Sequence, residues 1–282
     1  MTLAVPNKGR LVDPTLRLLH DAGLQFEERD RSLVSRVENV DLDILFVRTN
    51  DVVEFVRDAV ADLGITGADL LAESEEELPV VRRLGYGRCR LTAAVPRDAL
   101  AKRVEDLAGL RVATSHPRAT RRWFADRSIP VQVISLSGAV EVAPRLGLAE
   151  AVVDLVSTGT TMATNGLRSV GDLLTSEAIL VGNPTALAAR ADDVDRLSTM
   201  LGAVLEGRRR KYLMMNAPAE RLGDLEALLP GLAGPSVIPL AHAGMIAIHA
   251  VVDADDVWTL LPRLKGAGAT GILVLPIEKL IP

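Results

Sequence analysis

AVVDLVSTGTTM, residues 151–162, contains the change of pattern that decides the fold. Residues 151–156 are an apolar, β-branched run of the kind that forms a buried strand. Residues 157–161 are small and hydroxylated around one glycine, and the residues after them have helical character. Strand, loop and helix in this order are the unit of α/β proteins, which bind ligands at the carboxyl ends of their strands.

The same alternation extends along most of the chain on both sides of this stretch. We predict strands over residues 3–6, 43–48, 62–66, 78–84, 90–96, 110–114, 131–136, 151–156 and 177–184. Alternation with helices favours parallel pairing and right-handed crossovers. We expect Asn50 to cap the helix after the second strand. Ligand-binding loops are expected after residues 6, 48, 66, 114, 136 and 156.

The pattern changes in the C-terminal part of the chain. A long helix is predicted from about residue 192 to residue 210, with Val194, Leu197 and Leu201 on one apolar stripe. From Lys211 onward the predicted order is strand, helix, strand, strand, helix, strand. This is the ferredoxin-like β-α-β-β-α-β arrangement, so we predict a separate small domain.

Composition excludes several classes of protein. The formal net charge of −5 argues against nucleic acid or an anionic membrane as the main partner. Cys89 is the single cysteine, which rules out an internal disulfide and any multi-cysteine zinc site. No apolar run approaches the ~20 residues of a transmembrane helix, and the N-terminus lacks a signal-peptide pattern. We expect a cytoplasmic protein that binds neither nucleic acid nor membrane.

The loop at residues 157–161 suits a phosphate group. Gly159 permits positive φ and close backbone approach, while a helix N-terminus directly after the loop favours an anion. Asp154 lies so near this loop that we expect it to contact sugar hydroxyls or a metal-bound water. An ordinary capped turn would give the same local pattern.

The stretch also resembles a known family, the ATP phosphoribosyltransferases. Residues 141–162 fit the family signature at Glu141, Gly147, Ala149, Val152, Asp154, Leu155, Val156, Thr158, Gly159, Thr161 and Met162. Further segments resemble the family in order, namely PNKGRL (6–11), FVRTNDV (46–52), LGITGAD (63–69), GRCRL (87–91) and RVATSHP (111–117). The C-terminal part resembles the regulatory domain of the family's long form.

The resemblance implies an α/β fold with two lobes, like a type II periplasmic binding protein, followed by a ferredoxin-like (ACT-like) domain. Residues 1–92 and 175–190 would form the first catalytic lobe, and residues 93–174 the second lobe with the phosphate loop. Residues 191–210 would be a linker helix and residues 211–282 a regulatory domain.

The resemblance also implies an activity, the transfer of phosphoribosyl from phosphoribosyl pyrophosphate to N1 of ATP, the first step of histidine biosynthesis. Lys8 and Arg48 would act with Asp154 in catalysis. Substrate contacts would come from Arg10, Asp69, Glu141, Leu155, Val156, Ser157, Thr158, Gly159, Thr160 and Thr161. Mg²⁺ would arrive bound to the polyphosphates.

Regulation and assembly are implied in the same way. Free histidine would inhibit the enzyme by binding at Pro235, Ser236, Val237, Ile238 and Leu240. The chain would assemble as a homo-oligomer, a dimer and a hexamer. His116 and Ser236 depart from the family, which often has tyrosine and usually has threonine at these two positions.

Two other functions agree with a two-lobed α/β protein. A prephenate dehydratase also carries a small regulatory domain, but its Thr-Arg-Phe triplet is missing, the nearest string being Thr120, Arg121, Arg122. A non-catalytic solute-binding protein would usually need export and would not need the signature at residues 141–162.

Overall fold

A computed structural model describes residues 1–27, 33–229 and 234–281. The chain divides into two compact units, one of Met1–Arg17 with Leu24–Asp192 and one of Leu18–Gly23 with the residues from Asp193 onward. The strands are β1 Thr2–Pro6, β2 Val34–Arg36, β3 Asp43–Val47, β4 Leu63–Gly67, β5 Val80–Arg83, β6 Cys89–Pro96, β7 Arg111–Thr114, β8 Gln132–Ser135, β9 Ala151–Val156, β10 Leu167–Ser176, β11 Ala178–Gly182, β12 Arg210–Pro218, β13 Ser236–Pro239, β14 Met245–Asp253 and β15 Thr270–Pro276.

Helices alternate with the strands in the first unit, and further helices lie in the second unit. They are α1 Val12–Asp21, α2 Val52–Arg57, α3 Ala68–Ser74, α4 Pro117–Asp126, α5 Thr160–Thr164, α6 Pro184–Ala189, α7 Ala191–Arg209, α8 Leu222–Glu226 and α9 Val257–Gly266. Short 3₁₀ turns cover Val104–Leu107, Val140–Val142 and Ala219–Arg221. None of the helices in the described ranges is both long and apolar enough to cross a membrane.

The first unit contains two mixed sheets. The first sheet has the strand order β2-β3-β1-β4-β11-β5 and the second sheet the order β10-β6-β9-β7-β8. Parallel pairing holds for β1 with β3 and β4, and for β7 with β8 and β9. The prediction of parallel pairing is wrong for β5, β6 and β11, which pair antiparallel. Two further antiparallel strands, β2 and β10, are not among the predicted ones.

The chain leaves the first sheet after β5 and returns to it at β11. Because β6 and β10 belong wholly to the second sheet, the division falls at Arg88 and Glu177. The lobe boundaries expected from the sequence, after residue 92 and before residue 175, lie within a few residues of this division between the sheets. The second sheet is therefore one contiguous stretch inserted between strands of the first.

Small and branched apolar side chains fill the cores on these sheets. In the first sheet, Ala4 and Val181 pack with Val53 and Val56 of α2. In the second sheet, Leu91, Val112 and Val153 pack with Phe124 of α4. Each fully buried Val, Leu or Phe side chain contributes roughly 1.5–3 kcal/mol. The clusters fix the strand ends, and with them the loops that carry polar residues.

Two local predictions are corrected. The N-cap of α2 is Asp51 rather than Asn50, and no side chain caps this helix, because a turn from Arg48 O to Asp51 N delays its start. The strand–helix alternation predicts a helix between the strands at residues 131–136 and 151–156, but this segment contains only the three-residue 3₁₀ turn Val140–Val142. Pro144 and Gly147, the latter at φ 71°, follow directly and prevent a longer helix.

The second unit contains an antiparallel sheet with the order β13-β14-β12-β15. This strand order and the two crossing helices are those of a ferredoxin-like domain, which confirms the predicted arrangement. From Asp193 onward α7 belongs to this unit. A Cβ at Gly207 would lie 2.7 Å from Ile277 O, so the C-terminal segment packs directly on the helix backbone. Pro282, the last residue of the predicted regulatory domain, lies outside the described residues.

Candidate functional site

The loop between β9 and α5 has the backbone geometry that its sequence predicts. Gly159 is the N-cap of α5 and has φ 82°, in the left-handed region that favours glycine. The hydroxyls of Thr158 and Thr160 lie 3.1 Å apart, on either side of it. No described residue accepts a hydrogen bond from the backbone N–H groups of Thr158 or Gly159. The loop thus presents two N–H groups and a pair of hydroxyls to a ligand.

A cavity of about 180 Å³ opens beside this loop, and we call it the loop cavity. Its lining residues are Glu141, Val152, Asp154, Leu155, Val156, Ser157, Thr158, Gly159, Thr161, Met162 and Leu167. All but one of these residues lie within the 141–162 stretch singled out by its sequence. Thr160, also predicted, is not among them.

Asp154 stands at the base of the loop cavity on β9, directly opposite Thr92 of β6. Its Oδ1 accepts a hydrogen bond of 2.8 Å from the backbone N–H of Leu155. Burial raises the pKa of the Asp154 carboxyl; this amide opposes the rise and the charge of Glu141 adds to it, leaving the pKa above its usual range. A carboxylate held at such a cost is a candidate for ligand contact.

A second cavity, of about 480 Å³, is lined from both sheets of the first unit, and we call it the cleft cavity. Its lining residues are Gly9, Arg10, Leu11, Thr49, Asn50, Gly67, Asp69, Leu70, Glu73, Ser74, Ser115, His116, Ser137 and Leu155. Leu155 lines both cavities, so the two are neighbours. The loops expected to bind ligands after residues 6, 48, 66, 114 and 136 all contribute to the cleft cavity.

Asp69 is the most buried charged group of the cleft cavity, with 2% of its surface exposed. The Ser176 hydroxyl donates to its Oδ1, and Ser176 Oγ accepts from the Asp69 N–H at 2.9 Å. His116 Nε2 lies 3.5 Å from Oδ2 and Arg10 Nη2 lies 3.8 Å from Oδ1. These two distances exceed those of good hydrogen bonds.

The environment of Asp69 favours its ionised form. Burial raises the pKa of the carboxyl, but the His116 ring, the Ser176 hydroxyl and the charge of Arg10 together outweigh burial and hold the pKa below its usual range. The His116 ring contributes that charge only when it is protonated. A buried carboxylate supported by several donors is poised to accept a hydrogen bond from a ligand.

His116 is a site residue that the sequence reasoning noted only as a departure from the family. It is 6% exposed, its Nδ1 lies 3.0 Å from Ser115 Oγ, and its Nε2 has no hydrogen-bond partner among the described residues. It is the second residue after the end of β7, in one of the loops expected to bind ligands. Its place in such a loop is the feature of the sequence that points to His116 as a site residue.

The predicted basic residues are distributed unevenly. Arg10 reaches the cleft cavity, where its Nη2 also donates to Cys89 Sγ at 2.9 Å. Lys8 and Arg48 are exposed, and neither lines the loop cavity or the cleft cavity. Thr49 donates to the Lys8 carbonyl at 3.1 Å, which holds these two strand-end loops together.

A third cavity, of about 360 Å³, shares Val156 and Ser157 with the loop cavity. Its basic wall consists of Arg83, Arg88 and Arg90. Arg83 Nη1 lies 3.2 Å from a Glu177 oxygen and Arg90 Nη1 lies 2.9 Å from Asp172, so these cations already have acidic partners. Within the described ranges, no three His, Cys, Asp or Glu side chains are grouped so that they could hold a metal ion.

In the second unit, the residues expected to bind an effector lie on or beside the edge strand β13. Ser236, Val237 and Ile238 are exposed, and Pro235 and Leu240, which flank the strand, are partly buried. Ser236 is paired with His249 of β14, whose Nδ1 lies 2.9 Å from Tyr212 Oη. The segment therefore borders a row of polar groups on the sheet.

The first unit has two mixed β-sheets that jointly line a polar cavity, and a glycine-containing loop follows one of the strands. These features define a ligand-binding α/β protein. In this chain it is followed by a ferredoxin-like domain. Sequence profiles make the class specific. One described as ATP phosphoribosyltransferase matches residues 48–203, and one described as the HisG C-terminal domain matches residues 207–279. The chain belongs to the ATP phosphoribosyltransferase family.

Individual relatives agree over the full length. An ATP phosphoribosyltransferase of Gemmatimonas aurantiaca is 44% identical over 291 residues, covering 100% of both chains. One of Methanopyrus kandleri is 44% identical over 284 residues, again covering 100% of both. This agreement includes the C-terminal domain, as the resemblance to the long form predicts.

Solved structures resemble part of the chain. The ATP phosphoribosyltransferase (HisG:HisZ) complex from Thermotoga maritima matches with a TM-score of 0.62 and 29% identity, covering 72% of this chain and 98% of that one. Tv2483 bound to L-arginine matches with a TM-score of 0.50 and 10% identity, covering 72% of this chain and 83% of that one, which shows a shared fold alone.

Proposed function

We propose that the chain transfers the phosphoribosyl group of phosphoribosyl pyrophosphate to N1 of ATP, giving phosphoribosyl-ATP and pyrophosphate. This is the first step of histidine biosynthesis. The observation that carries the proposal is the gathering of the 141–162 stretch around the loop cavity, with Gly159 in a left-handed conformation.

The loop cavity takes the phosphoribosyl group. The N–H groups and hydroxyls of residues 157–161 bind the 5′-phosphate, and Asp154 accepts hydrogen bonds from ribose hydroxyls. Support comes from the positive φ of Gly159, which lets the backbone approach an oxyanion. Asp154 gains donors from the sugar that compensate for its burial.

ATP occupies the cleft cavity next to this site. Its volume of about 480 Å³ lies in the range of small-molecule sites. Asp69 accepts a hydrogen bond from a ribose hydroxyl or the adenine amino group. Arg10, with Lys8 and Arg48 from neighbouring loops, neutralises phosphates, and Arg can do so through two parallel hydrogen bonds.

The chemistry is a displacement at C1 of the ribose. The N1 lone pair of adenine forms the new bond to C1, while the C1–O bond breaks and its electrons leave with pyrophosphate. Because the nucleophile already carries its lone pair, no strong base is required. The protein contributes alignment and charge neutralisation, and Mg²⁺ enters as part of the polyphosphate substrates.

A direct assay tests the activity. Purified full-length protein is mixed with ATP, phosphoribosyl pyrophosphate, Mg²⁺ and pyrophosphatase, and the absorbance of phosphoribosyl-ATP is followed. We expect a signal that disappears when either substrate or Mg²⁺ is omitted. Absence of product from folded protein would contradict the transferase.

The C-terminal domain senses free histidine, and the chain assembles as a homo-oligomer, a dimer and a hexamer. Ser236 and its flanking residues offer a hydroxyl and edge-strand backbone groups to an amino acid. Binding there slows catalysis because histidine prefers an inactive arrangement.

The sensing role is tested with two hydroxyls on opposite edges of one sheet. Ser236→Ala should weaken histidine binding by calorimetry and raise the histidine concentration needed for inhibition. Thr270→Ala, on β15 at the other edge, is the matched control and should change neither. If wild-type protein ignores histidine, or if both variants behave alike, residues 235–240 are not the effector site.

A further inference from the structure

The C-terminal end of α3 and the N-terminal end of α4 are capped by hydrogen bonds between the two helices. α3 follows β4 of the first sheet, whereas α4 follows β7 of the second sheet. Both oxygens of the Glu73 carboxylate, in the last turn of α3, accept hydrogen bonds from the start of α4. Arg118 N donates to Oε1 at 3.1 Å and Ala119 N donates to Oε2 at 2.9 Å.

The sequence of α4 leaves these N–H groups without a local partner. The N-cap residue His116 makes no side-chain capping hydrogen bond, and Pro117 at the first helical position has no N–H to offer. The first free N–H groups of the helix are therefore those of Arg118 and Ala119. A carboxylate that accepts both also suits the positive end of the helix dipole.

A hydrogen bond also runs in the other direction, from a side chain of α4 to the backbone of α3. Arg122 of α4 donates from Nη2 to the Ala72 carbonyl at 3.0 Å, which satisfies an acceptor at the C-terminal end of α3. Ala72 also packs against the core cluster of the second sheet. The contact is thus reciprocal: each helix supplies a side chain that caps the other.

The capped end of α4 forms one wall of the cleft cavity. His116 immediately precedes the helix and lies 3.5 Å from Asp69 at the start of α3, and Ser115 lines the same cavity. A shift of the first turn of α4 would move His116 away from Asp69. The loop at 157–161 is carried by β9 and α5 instead, so such a shift leaves it in place.

We infer that Glu73 is a positioning residue, which with Arg122 holds His116 against Asp69 and so sets the width of the cleft cavity. The inference rests on the proposed function only in assigning ATP to that cavity. It requires that loss of the contact weakens ATP binding while the binding of phosphoribosyl pyrophosphate is unchanged. It also requires that Arg122, which does not line the cavity, has the same effect as Glu73.

The test compares Glu73→Ala, Arg122→Ala and the control Glu75→Gln in the full-length protein. Glu75 also stands at the end of α3, but its carboxylate lies 3.9 Å from Arg118 Nε and accepts nothing from the α4 backbone. Glu73→Gln, which keeps one acceptor oxygen, should restore part of what Glu73→Ala loses. Amide hydrogen exchange over residues 117–126 reports on the helix, and calorimetry gives the dissociation constants of ATP with Mg²⁺ and of phosphoribosyl pyrophosphate.

In both alanine variants we expect faster exchange in the first turn of α4 and about tenfold weaker ATP binding. Phosphoribosyl pyrophosphate should bind as it does to the wild type, and Glu75→Gln should behave as wild type throughout. Unchanged exchange in Glu73→Ala overturns the contact. Faster exchange with unchanged ATP affinity overturns the positioning role, as does an effect of Glu73→Ala that Arg122→Ala does not share. The titrations do not need turnover, so a failure of the transferase assay is distinguishable from a failure of this inference.

Discussion

Asp69 and Ser176 exchange two hydrogen bonds, the serine hydroxyl donating to the carboxylate and accepting from the aspartate N–H. Ser176 is the last residue of β10, in the second sheet. Asp69 lies in the first turn of α3, the helix that follows β4 of the first sheet. Both residues are almost fully buried, at 2% and 4% exposure. A hydroxyl from the other sheet therefore acts with His116 and Arg10 to keep a buried carboxylate ionised.

Ser176→Ala should reduce the free energy of unfolding by about 1–3 kcal/mol near neutral pH, because it leaves a buried carboxylate short of a donor. The lowered pKa of Asp69 gives the sign of the pH dependence. Its contribution to stability is present above the ordinary carboxyl pKa of about 3.9 and is lost as the pH falls through the lower folded value.

Denaturant unfolding of wild type and variant at about pH 7 and about pH 3 measures this difference. The difference in unfolding free energy between wild type and Ser176→Ala should be smaller at the lower pH. Ser74→Ala, which removes a half-buried hydroxyl in the last turn of α3, is the control and should show a smaller difference with no such trend. A gap for Ser176→Ala that is constant with pH would show that the hydroxyl acts through packing alone.

Asp154→Asn should separate activity from stability. The pKa of Asp154 is raised in the folded chain, so its contribution to stability is present at low pH and lost as the pH rises through the folded value. At neutral pH we expect the variant to be as stable as wild type or more so. Losing a charge-assisted contact to ribose should lower kcat/KM roughly ten- to hundred-fold.

Thermal unfolding and steady-state kinetics across the pH range test the Asp154 prediction together. If Asp154 is a ribose ligand and not a proton acceptor, the shape of the pH–rate profile stays the same. Loss of the acidic limb in the variant, or full retention of activity, would refute the assigned role.

Gly159→Ala should weaken the binding of phosphoribosyl pyrophosphate. A Cβ there meets only Val156 Cγ1 at 3.9 Å, so the effect is conformational, through the φ of 82° that the loop requires. Such strain costs about 1 kcal/mol or more, and a displaced N–H loses its hydrogen bond to the phosphate as well. Titration calorimetry should show about ten- to hundred-fold weaker binding.

Gly166→Ala is the matched control for the loop glycine. Gly166 has φ 71° and open space around its Cβ position, but it follows α5 and lies outside the loop. It should carry a similar folding cost without loss of affinity. Equal affinities for the two variants would argue that strain at Gly159 does not reach the ligand.

Gly207→Ala should destabilise the second unit. The added Cβ would lie 2.7 Å from Ile277 O and 3.0 Å from Glu278 O, both backbone atoms that cannot rotate away. We expect a loss of about 1–3 kcal/mol, measured as a lower unfolding temperature. Gly223→Ala in α8, where nothing lies within 4 Å, should be neutral or slightly stabilising because alanine favours helix. Similar behaviour of the two variants would mean that the C-terminal segment does not pack as described.

Local patterns in the sequence predict most elements, because strands such as β11, and β1 after Thr2, are continuous apolar runs. The strand β10 is absent from the predicted strands for a physical reason. Register shifts between Ser169 and Gly171 and between Asp172 and Leu174 interrupt its pairing, so burial recurs every third residue instead of every second. The alternation of apolar and polar residues that identifies a half-buried strand is therefore absent from its sequence.

The same distinction holds for the site. The loop at 157–161 is contiguous in sequence and could be recognised there. Asp69, His116 and Ser176 meet only through the tertiary structure, and the capping of α4 by Glu73 joins residues 45 and 46 positions apart. Contacts of this range follow from how strands are ordered in the sheets, and no short pattern encodes them.

The position of β11 between β4 and β5 has a consequence for synthesis on the ribosome. The first sheet begins at the N-terminus, yet it is incomplete until residues 178–182 have emerged. The second sheet, residues 89–176, is contiguous and can close earlier. Domains generally fold in the order in which they are synthesised. Here the N-terminal strands must wait for the later sheet, and until then β4 and β5 expose unpaired edges that are open to aggregation or to chaperones.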